Sequence, residues 1–241
     1  MIPIWFILVA LVTEVMAAVV GFGSSTILTP IAALVFDVKT ALALVGIFHT
    51  AGAIVRFLRF RPSIDRAFLW QFGPSVVIAT LLGALFTRAV PSQVLVVILG
   101  LFLVGLVIFE WTHPRFSLPK RRSLEVASGG LTGFLSGLLG AGGALRAASL
   151  QAFGMKKEEY SGSSAVIAVA SDLTRIPVYI ASGYLFGVPL PWILGLIALG
   201  VLGTLIGLTI IDRVPQQTFR LIVLLAVLLV AIKLILDGIT G

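Results

Sequence analysis

Gly21-Phe22-Gly23-Ser24 and Gly140-Ala141-Gly142-Gly143 lie 119 residues apart, and each glycine-rich run separates a long apolar segment from a short one. The same separation of 119 residues relates Arg56 to Arg175, and both arginines lie late in the next long apolar segment. Two further pairs keep this order at a separation of 124: Gly83 with Gly207, and Val90-Pro91-Ser92-Gln93 with Val214-Pro215-Gln216-Gln217. A pattern that recurs in one order indicates two copies of one structural unit.

The chain of 241 residues is too apolar for a soluble domain. Its mean hydropathy is +1.15 and 11% of its residues are charged, whereas soluble domains have about 25%. Its apolar runs approach the ~20 residues that a helix needs to cross a bilayer. Cysteine is absent, which excludes disulfides, thiolate chemistry and cysteine-ligated metals. We therefore predict an all-α, polytopic membrane protein.

We predict five apolar segments in each half of the chain. They cover about residues 3–20, 25–36, 40–58, 67–87 and 92–111, then 124–139, 143–153, 159–181, 188–211 and 215–236. The second segment of each half has about 12 residues, a rod of about 18 Å, which is too short to span the membrane alone. Each is expected to form a broken or re-entrant hairpin with its predecessor. The first segment lacks a basic n-region and is predicted to be a retained helix rather than a cleaved signal.

The polar connection between the halves sets the predicted organisation: a first membrane repeat at 1–111, a basic cytoplasmic linker at 112–123 and a second repeat at 124–241. With both termini outside, only Lys39 and Arg88 lie in outside loops, which agrees with the positive-inside rule. The basic residues of the cytoplasmic loops are Arg59, Arg61, Arg66, Arg115, Lys120, Arg121, Arg122, Lys156, Lys157 and Arg213. Each half crosses an odd number of times whether its hairpin spans or re-enters, so we expect inverted repeats.

The two glycine-rich tips are the first candidate binding elements. Glycine lets a ligand approach main-chain N–H groups closely, and the helix start that follows offers free donors and a positive dipole end to an anion. Ser24, Ser25 and Thr26 add hydroxyl groups at the first tip. The alternative is that these glycines serve close helix packing, as small residues often do in membranes.

Three arginines inside apolar segments are the candidate charges. Arginine stays charged and presents a planar fork that fits oxyanions. Arg56 can instead snorkel to lipid phosphates, because it lies near the end of its segment. Arg175 has Asp172 one turn before it, so a structural ion pair is the alternative there. Arg146 lies just after the second tip, where an anion contact and a snorkelling position are both open.

Three further polar residues are candidates for carrying a coupling proton. His49 is seven residues before Arg56, and a histidine in an apolar helix can exchange a proton near neutral pH. The alternative for His49 is a hydrogen-bonded residue of the core. Glu14 lies inside the first segment, where it is either a proton carrier or the partner of an arginine. Asp172 completes the set.

Several function classes lack their motifs. The chain has no phosphate-binding loop, no H-E-x-x-H run and no G-x-S-x-G elbow, so nothing points to an ATP-driven pump or to an enzyme. His49 and His113 are its only histidines, which disfavours a metal site, and no cofactor is expected. The net charge of +7 is explained by basic residues in the loops that set the orientation in the membrane. The sequence has no run of basic residues interleaved with aromatics that would bind nucleic acid.

In the order and duplication of its motifs the chain resembles the TauE/SafE family of membrane permeases. The resemblance rests on the two glycine-rich breaks, the long helix after each, and the Val-Pro-x-Gln opening of each last helix, from about Glu14 to Leu236. It implies export of sulfite or organosulfonates across the bacterial cytoplasmic membrane. Family members often carry a Gly-Thr-Ser-like element in each half. Here Ser161-Gly162-Ser163-Ser164 is such an element, while Leu44-Val45-Gly46-Ile47 has no hydroxyls.

Interrupted short segments at matching positions of two repeats are typical of transporters with a site between the halves. We therefore expect a secondary transporter that exports a small sulfur oxyanion by alternating access, with a passive anion channel as the alternative. The lipid bilayer, a coupling proton or sodium ion, and a second copy in a homodimer are the partners considered. The substrate is expected to contact Gly21, Phe22, Gly23, Ser24, Ser25, Arg56, Gly140, Gly142, Gly143, Arg146 and Arg175.

Overall fold

The protein is all-α in a computed structural model that describes residues 3–20, 23–113, 116–210 and 216–240. The described part contains no strand, and each of the ten predicted segments matches one helix. The helices are α1 (Ile4–Val20), α2 (Ser24–Ala32), α3 (Val38–Phe60), α4 (Arg66–Ala89), α5 (Ser92–Thr112), α6 (Arg122–Leu139), α7 (Gly142–Ala152), α8 (Lys157–Ala181), α9 (Leu190–Ile210) and α10 (Gln216–Thr240). Gly21, Phe22, Arg115, Arg213, Val214 and Pro215 lie outside the described residues.

Five of the described helices, α3, α4, α5, α8 and α9, are long and apolar enough to cross a membrane. Their outer surfaces carry large apolar side chains, such as Ile78 and Leu205, which are exposed on the isolated chain. Such side chains are expected to face lipid in a helical membrane protein. The chain is therefore a multi-pass membrane protein.

The two short helices turn the chain back on itself. Phe36, just after α2, packs its ring 5.6 Å from that of Phe6 at the start of α1. In the second half the Leu118 N–H donates to the carbonyl of Ala152, the last residue of α7, at 2.8 Å. Each short helix thus ends beside the start of the preceding long helix. Each pair forms a hairpin, with Gly23 at the tip of the first and residues 140–143 at the tip of the second.

Glycine is required at both tips by the backbone itself. Gly140 ends α6 in the left-handed conformation at φ 66°, and its N–H donates to the Ser136 carbonyl at 3.0 Å. Gly23 precedes α2 at φ 86°. L-residues with a Cβ rarely adopt such positive φ values, so the glycine runs specify where the hairpins turn.

Counterpart helices of the two halves pack in opposite directions. Along the α3–α8 pair, Gly46 lies against Ile176 while Gly162 lies against Phe60, so the two helices are antiparallel. The α5–α10 pair is antiparallel as well, since Gly100 contacts Ala231. Gly238 contacts Gln93 at the other end of that pair. The inverted repeat stays a prediction, and opposite directions of counterpart helices are what it requires.

Glycines away from the tips serve close packing between helices. Gly129, Gly133 and Gly137 of α6 lie against the main chain of α4, at Phe72 and Val76 for the first two. The equivalent pair is α9 against α1, where Gly203 and Gly207 make the contacts. Small residues in membranes let backbones approach in this way. These glycines therefore serve packing between helices, whereas the packing alternative in the sequence analysis concerned the glycines of the tips.

Candidate functional site

The tips of the two hairpins meet in the interior. A Cβ on Gly23 would lie 2.9 Å from the Cα of Gly143, so this approach has no room for a side chain. Thr26 Oγ1 accepts the Ala144 N–H at 2.9 Å and donates to the Ala141 carbonyl at 3.3 Å. Thr26 thereby satisfies main-chain groups of the opposite tip. The two tips are therefore in direct contact.

A small cavity lies beside the meeting point of the tips. Its volume, counted at the positions that the centre of a water molecule can occupy, is about 20 Å³, which is enough for a water. Two guanidinium groups, those of Arg56 and Arg146, are part of its wall. The lining residues are Ala17, Ala18, Gly23, Arg56, Phe60, Arg146, Tyr160, Ser161 and Ser164.

Arg56 is buried and held by a carboxylate from the first hairpin. Its Nη1 donates to Glu14 Oε1 at 2.6 Å, and Thr204 Oγ1 donates to the same oxygen at 2.8 Å. Only 8% of Arg56 is exposed, so the snorkelling alternative is wrong. The arginine-partner alternative for Glu14 is confirmed. Its second oxygen, Oε2, has no hydrogen-bond partner among the described residues.

Arg146 is buried without a carboxylate. Its Nε donates to Ser164 Oγ at 3.0 Å, and only 4% of the residue is exposed, which rules out snorkelling here as well. Within the described part of the chain, no acidic side chain lies within ion-pair distance of this guanidinium. A buried charge without an opposite charge is costly, and at a cavity it is a candidate contact for an anion.

A second polar cluster joins α3 to α8. Asp172 Oδ1 accepts from Arg175 Nε at 2.9 Å and Nη2 at 2.8 Å, which confirms the predicted ion pair. Its other oxygen accepts from His49 Nδ1 at 2.7 Å. Arg175 Nη1 donates to the carbonyl of Ser136 at 3.1 Å. At most 2% of each of these three charged or titratable side chains is exposed.

The structure separates the predicted site residues into two groups. Arg175 lies against the second tip, since a Cβ on Gly140 would be 3.0 Å from its Nη1, but it does not line the cavity of Arg56 and Arg146. His49 and Arg56 share a helix yet bind different carboxylates. Seven residues of helix separate the two clusters by about 10 Å.

The remaining tip residues are buried. Ser24 is fully buried and its hydroxyl has no partner in the described ranges, while Ser25 is 2% exposed. Gly142 packs against Ser136, and neither serine of the first tip lines the cavity. The predicted contacts Gly21 and Phe22 fall outside the described residues.

The profile of the sulfite exporter TauE/SafE family matches residues 6–234, nearly the whole chain. The chain belongs to this family. TauE/SafE proteins are membrane transporters of sulfite and organosulfonates and are not enzymes. No curated protein and no solved structure matches the chain.

The TauE/SafE cavity includes residues that the sequence did not single out as ligands. Phe60 and Tyr160 come from the ends of α3 and α8 that face each other, and Ser161 and Ser164 follow Tyr160 along α8. The serines belong to the hydroxyl-rich element noted in the sequence of the second half. That element was the available signal, because Ser161 and Ser164 lie three residues apart on one helix face.

Proposed function

We propose that this TauE/SafE protein exports a small oxyanion, sulfite or a short organosulfonate, from the cytoplasm. The observation that carries the proposal is the placement of two buried guanidinium groups, Arg56 and Arg146, on one cavity beside the meeting tips. Guanidinium groups bind oxyanions through charge-assisted hydrogen bonds, which are strong where water is excluded. Ser161 and Ser164 line the same cavity and add polar hydroxyl groups to its wall.

Alternating access is the mechanism that this architecture supports best. Inverted repeats with sites at broken helices let one half rock against the other around a central site. A channel needs a continuous wet path through the protein. The described cavity of about 20 Å³ does not provide one, which favours a carrier.

Two features support the direction of transport. The cavity lies at the ends of α3 and α8 next to Arg59 and Arg61, which the positive-inside rule places at the cytoplasmic face. In the inner membrane of a bacterium, both termini of the protein are then on the side away from the cytoplasm. An inside-negative potential favours outward movement of an anion by ~2.3 kcal/mol per charge per 100 mV. Export thus needs no stoichiometric coupling.

Removal of one guanidinium from the cavity tests the proposal. Arg146→Gln is expected to reduce sulfite efflux from proteoliposomes at least about tenfold, because the unpaired charge that attracts the anion is lost. Arg59→Gln removes the same charge from an exposed position on α3 and is the matched control, with efflux near wild type. Efflux that survives Arg146→Gln unchanged contradicts the assignment of this cavity.

Counterflow distinguishes a carrier from a channel. Proteoliposomes loaded with unlabelled sulfite are expected to accumulate labelled sulfite transiently against its gradient, since a carrier exchanges one substrate for another. A channel shows no such accumulation and passes current without saturation. An absence of flux for sulfite and every sulfonate tried would contradict transport altogether.

A further inference from the structure

The buried arginines at the cavity differ in whether a carboxylate neutralises them. In the described part of the chain three arginines are buried, and two of them have a carboxylate: Arg56 has Glu14 and Arg175 has Asp172. Among the described residues Arg146 has no carboxylate within ion-pair distance, and its Nε donates to the neutral hydroxyl of Ser164. The other buried carboxylate, Glu125, lies in the first turn of α6, at the end of the second hairpin opposite its tip.

Resting on the proposed function, we propose that this cavity selects anions with a single negative charge, and that Glu14 sets this selectivity. The two guanidinium groups of the wall contribute two positive charges, and Glu14 removes one of them through its 2.6 Å contact with Arg56. The cavity with Glu14 ionised therefore carries one net positive charge, which a monoanion neutralises.

A dianion in the same cavity leaves one net negative charge in a water-excluded place. Burial of an uncompensated charge is strongly unfavourable, and a like charge nearby adds to the cost. Glu14 is that like charge, since its buried carboxylate is ion-paired with Arg56 at 2.6 Å. Glu14 and the substrate both contact Arg56, so the Glu14 carboxylate lies close enough to repel the second negative charge of a dianion.

The second cluster does not alter this balance. Asp172 is shared between Arg175 and His49, so the cluster is neutral while the imidazole is neutral. The groups facing the cavity from α3, α7 and α8 are Arg56, Arg146, Tyr160, Ser161 and Ser164, of which only the arginines are charged near neutral pH.

The chemical class of substrate follows from the charge. Sulfonates of the form R–SO₃⁻ and hydrogen sulfite, HSO₃⁻, share a head with one negative charge and three oxygens. The sulfite ion, sulfate and thiosulfate carry two charges. The sulfur(IV) species exported is therefore hydrogen sulfite, which takes its own proton out of the cell.

Competition between anions of fixed charge tests the selectivity. Labelled sulfite counterflow is measured at one pH with unlabelled methanesulfonate or sulfate as inhibitor. In wild type, methanesulfonate is expected to inhibit at concentrations at least about tenfold lower than sulfate does. Glu14→Gln leaves two uncompensated arginines. The inhibitory concentration of sulfate relative to that of methanesulfonate is therefore expected to fall at least about tenfold.

Two further variants separate charge from structure. Glu14→Gln combined with Arg56→Gln restores one net positive charge, and the preference for methanesulfonate is expected to return even where total flux is lower. Glu158→Gln removes an exposed carboxylate outside the cavity and is expected to keep the wild-type ratio. A structural defect alone lowers the flux but leaves the ratio of the two inhibitory concentrations unchanged.

Different results contradict this inference and the proposed function on which it rests. Sulfite counterflow with equal inhibition by methanesulfonate and sulfate overturns the charge selectivity. A ratio that Glu14→Gln leaves unmoved overturns the role of Glu14. If that variant fails to insert, the wild-type ratio alone decides the selectivity. Wild-type protein without sulfite counterflow overturns the proposed function and this inference with it.

Discussion

Asp172 Oδ2 lies 2.7 Å from His49 Nδ1, so a carboxylate of the second half is bound by an imidazole of the first half. The other oxygen of Asp172 is held by Arg175, which in turn donates to the main chain of the second hairpin at Ser136. One buried carboxylate therefore links both halves and one tip. If one half rocks against the other, the contacts of Asp172 must either break or move together with both halves.

The first prediction concerns Arg175. We expect Arg175→Ala to abolish sulfite efflux while the protein still inserts into the membrane. The substitution leaves Asp172 with His49 alone and removes the donor to Ser136, and loss of one partner of a buried pair costs about 3–5 kcal/mol. Efflux from proteoliposomes and the melting temperature in detergent measure the two effects.

A neutral pair at the same positions separates stability from transport. Asp172→Asn with Arg175→Gln removes both charges, so stability is expected to recover relative to the single variant because no buried charge is left unpaired. Sulfite efflux is expected to stay low. Wild-type efflux in Arg175→Ala would remove Arg175 from the site.

The second prediction concerns a coupling proton. Of the three proposed carriers, Glu14 and Asp172 are bound to arginines, whereas His49 has a ring nitrogen, Nε2, without a partner in the described part of the chain. Methanesulfonate carries no proton of its own, so proton movement with it requires a protein group. We expect a pH-sensitive dye to report such movement in wild type and none in His49→Gln.

The glutamine variant keeps a donor for Asp172 and cannot be protonated, so methanesulfonate counterflow is expected to persist. Counterflow exchanges one anion for another and requires no net proton transfer. Equal dye signals in wild type and His49→Gln would exclude His49 as the carrier. Asp172→Asn in the same assay tests the remaining partner of the pair.

The sequence predicted the elements well and the long-range partners poorly. The ten helices follow from runs of apolar residues and from glycine and proline breaks, which are local signals. The Asp172–Arg175 ion pair is local too, because i, i+3 residues share a helix face. The pairing of Glu14 with Arg56 spans 42 residues, and that of His49 with Asp172 spans 123. Such partners depend on which helices pack together, so spacing alone left several alternatives open.

The cavity wall shows the same division. Arg56, Arg146 and Gly23 were predicted because a charge or a glycine in an apolar segment is conspicuous. Phe60 and Tyr160 were missed, since aromatic residues at helix ends are common in membrane proteins. Their place in the wall follows from the antiparallel packing of α3 on α8, which brings the end of one helix to the start of the other.

The third prediction concerns the contact between the tips. Gly23→Ala puts a Cβ at 2.9 Å from the Cα of Gly143 and adds strain at φ 86°. The clashing atom belongs to the main chain of the opposite tip, so the tips must move apart beside the cavity that Gly23 lines. We expect sulfite efflux to fall at least about tenfold, together with about 1–2 kcal/mol of stability from the strain.

Gly154→Ala is the matched control for strain. Gly154 has φ 72°, and a Cβ at this position would meet nothing within 4 Å, so the same backbone penalty occurs without a tip contact. We expect lower stability with efflux retained. Equal efflux from the Gly23 and Gly154 variants would show that the approach of the tips is not needed for transport.

The fourth prediction tests helix packing within α6, where two glycines lie three residues apart in different environments. A Cβ on Gly133 would lie 2.8 Å from the Cα of Val76 in α4, whereas a Cβ on Gly130 would meet nothing within 4 Å. Gly133→Ala must therefore push α6 from α4, at a cost of about 1–3 kcal/mol. Gly130→Ala should be neutral or stabilising by up to about 1 kcal/mol, because alanine has the higher helix propensity. Thermal unfolding in one detergent compares the two, and equal melting temperatures would contradict the close parallel packing of α4 and α6 that supports the second hairpin.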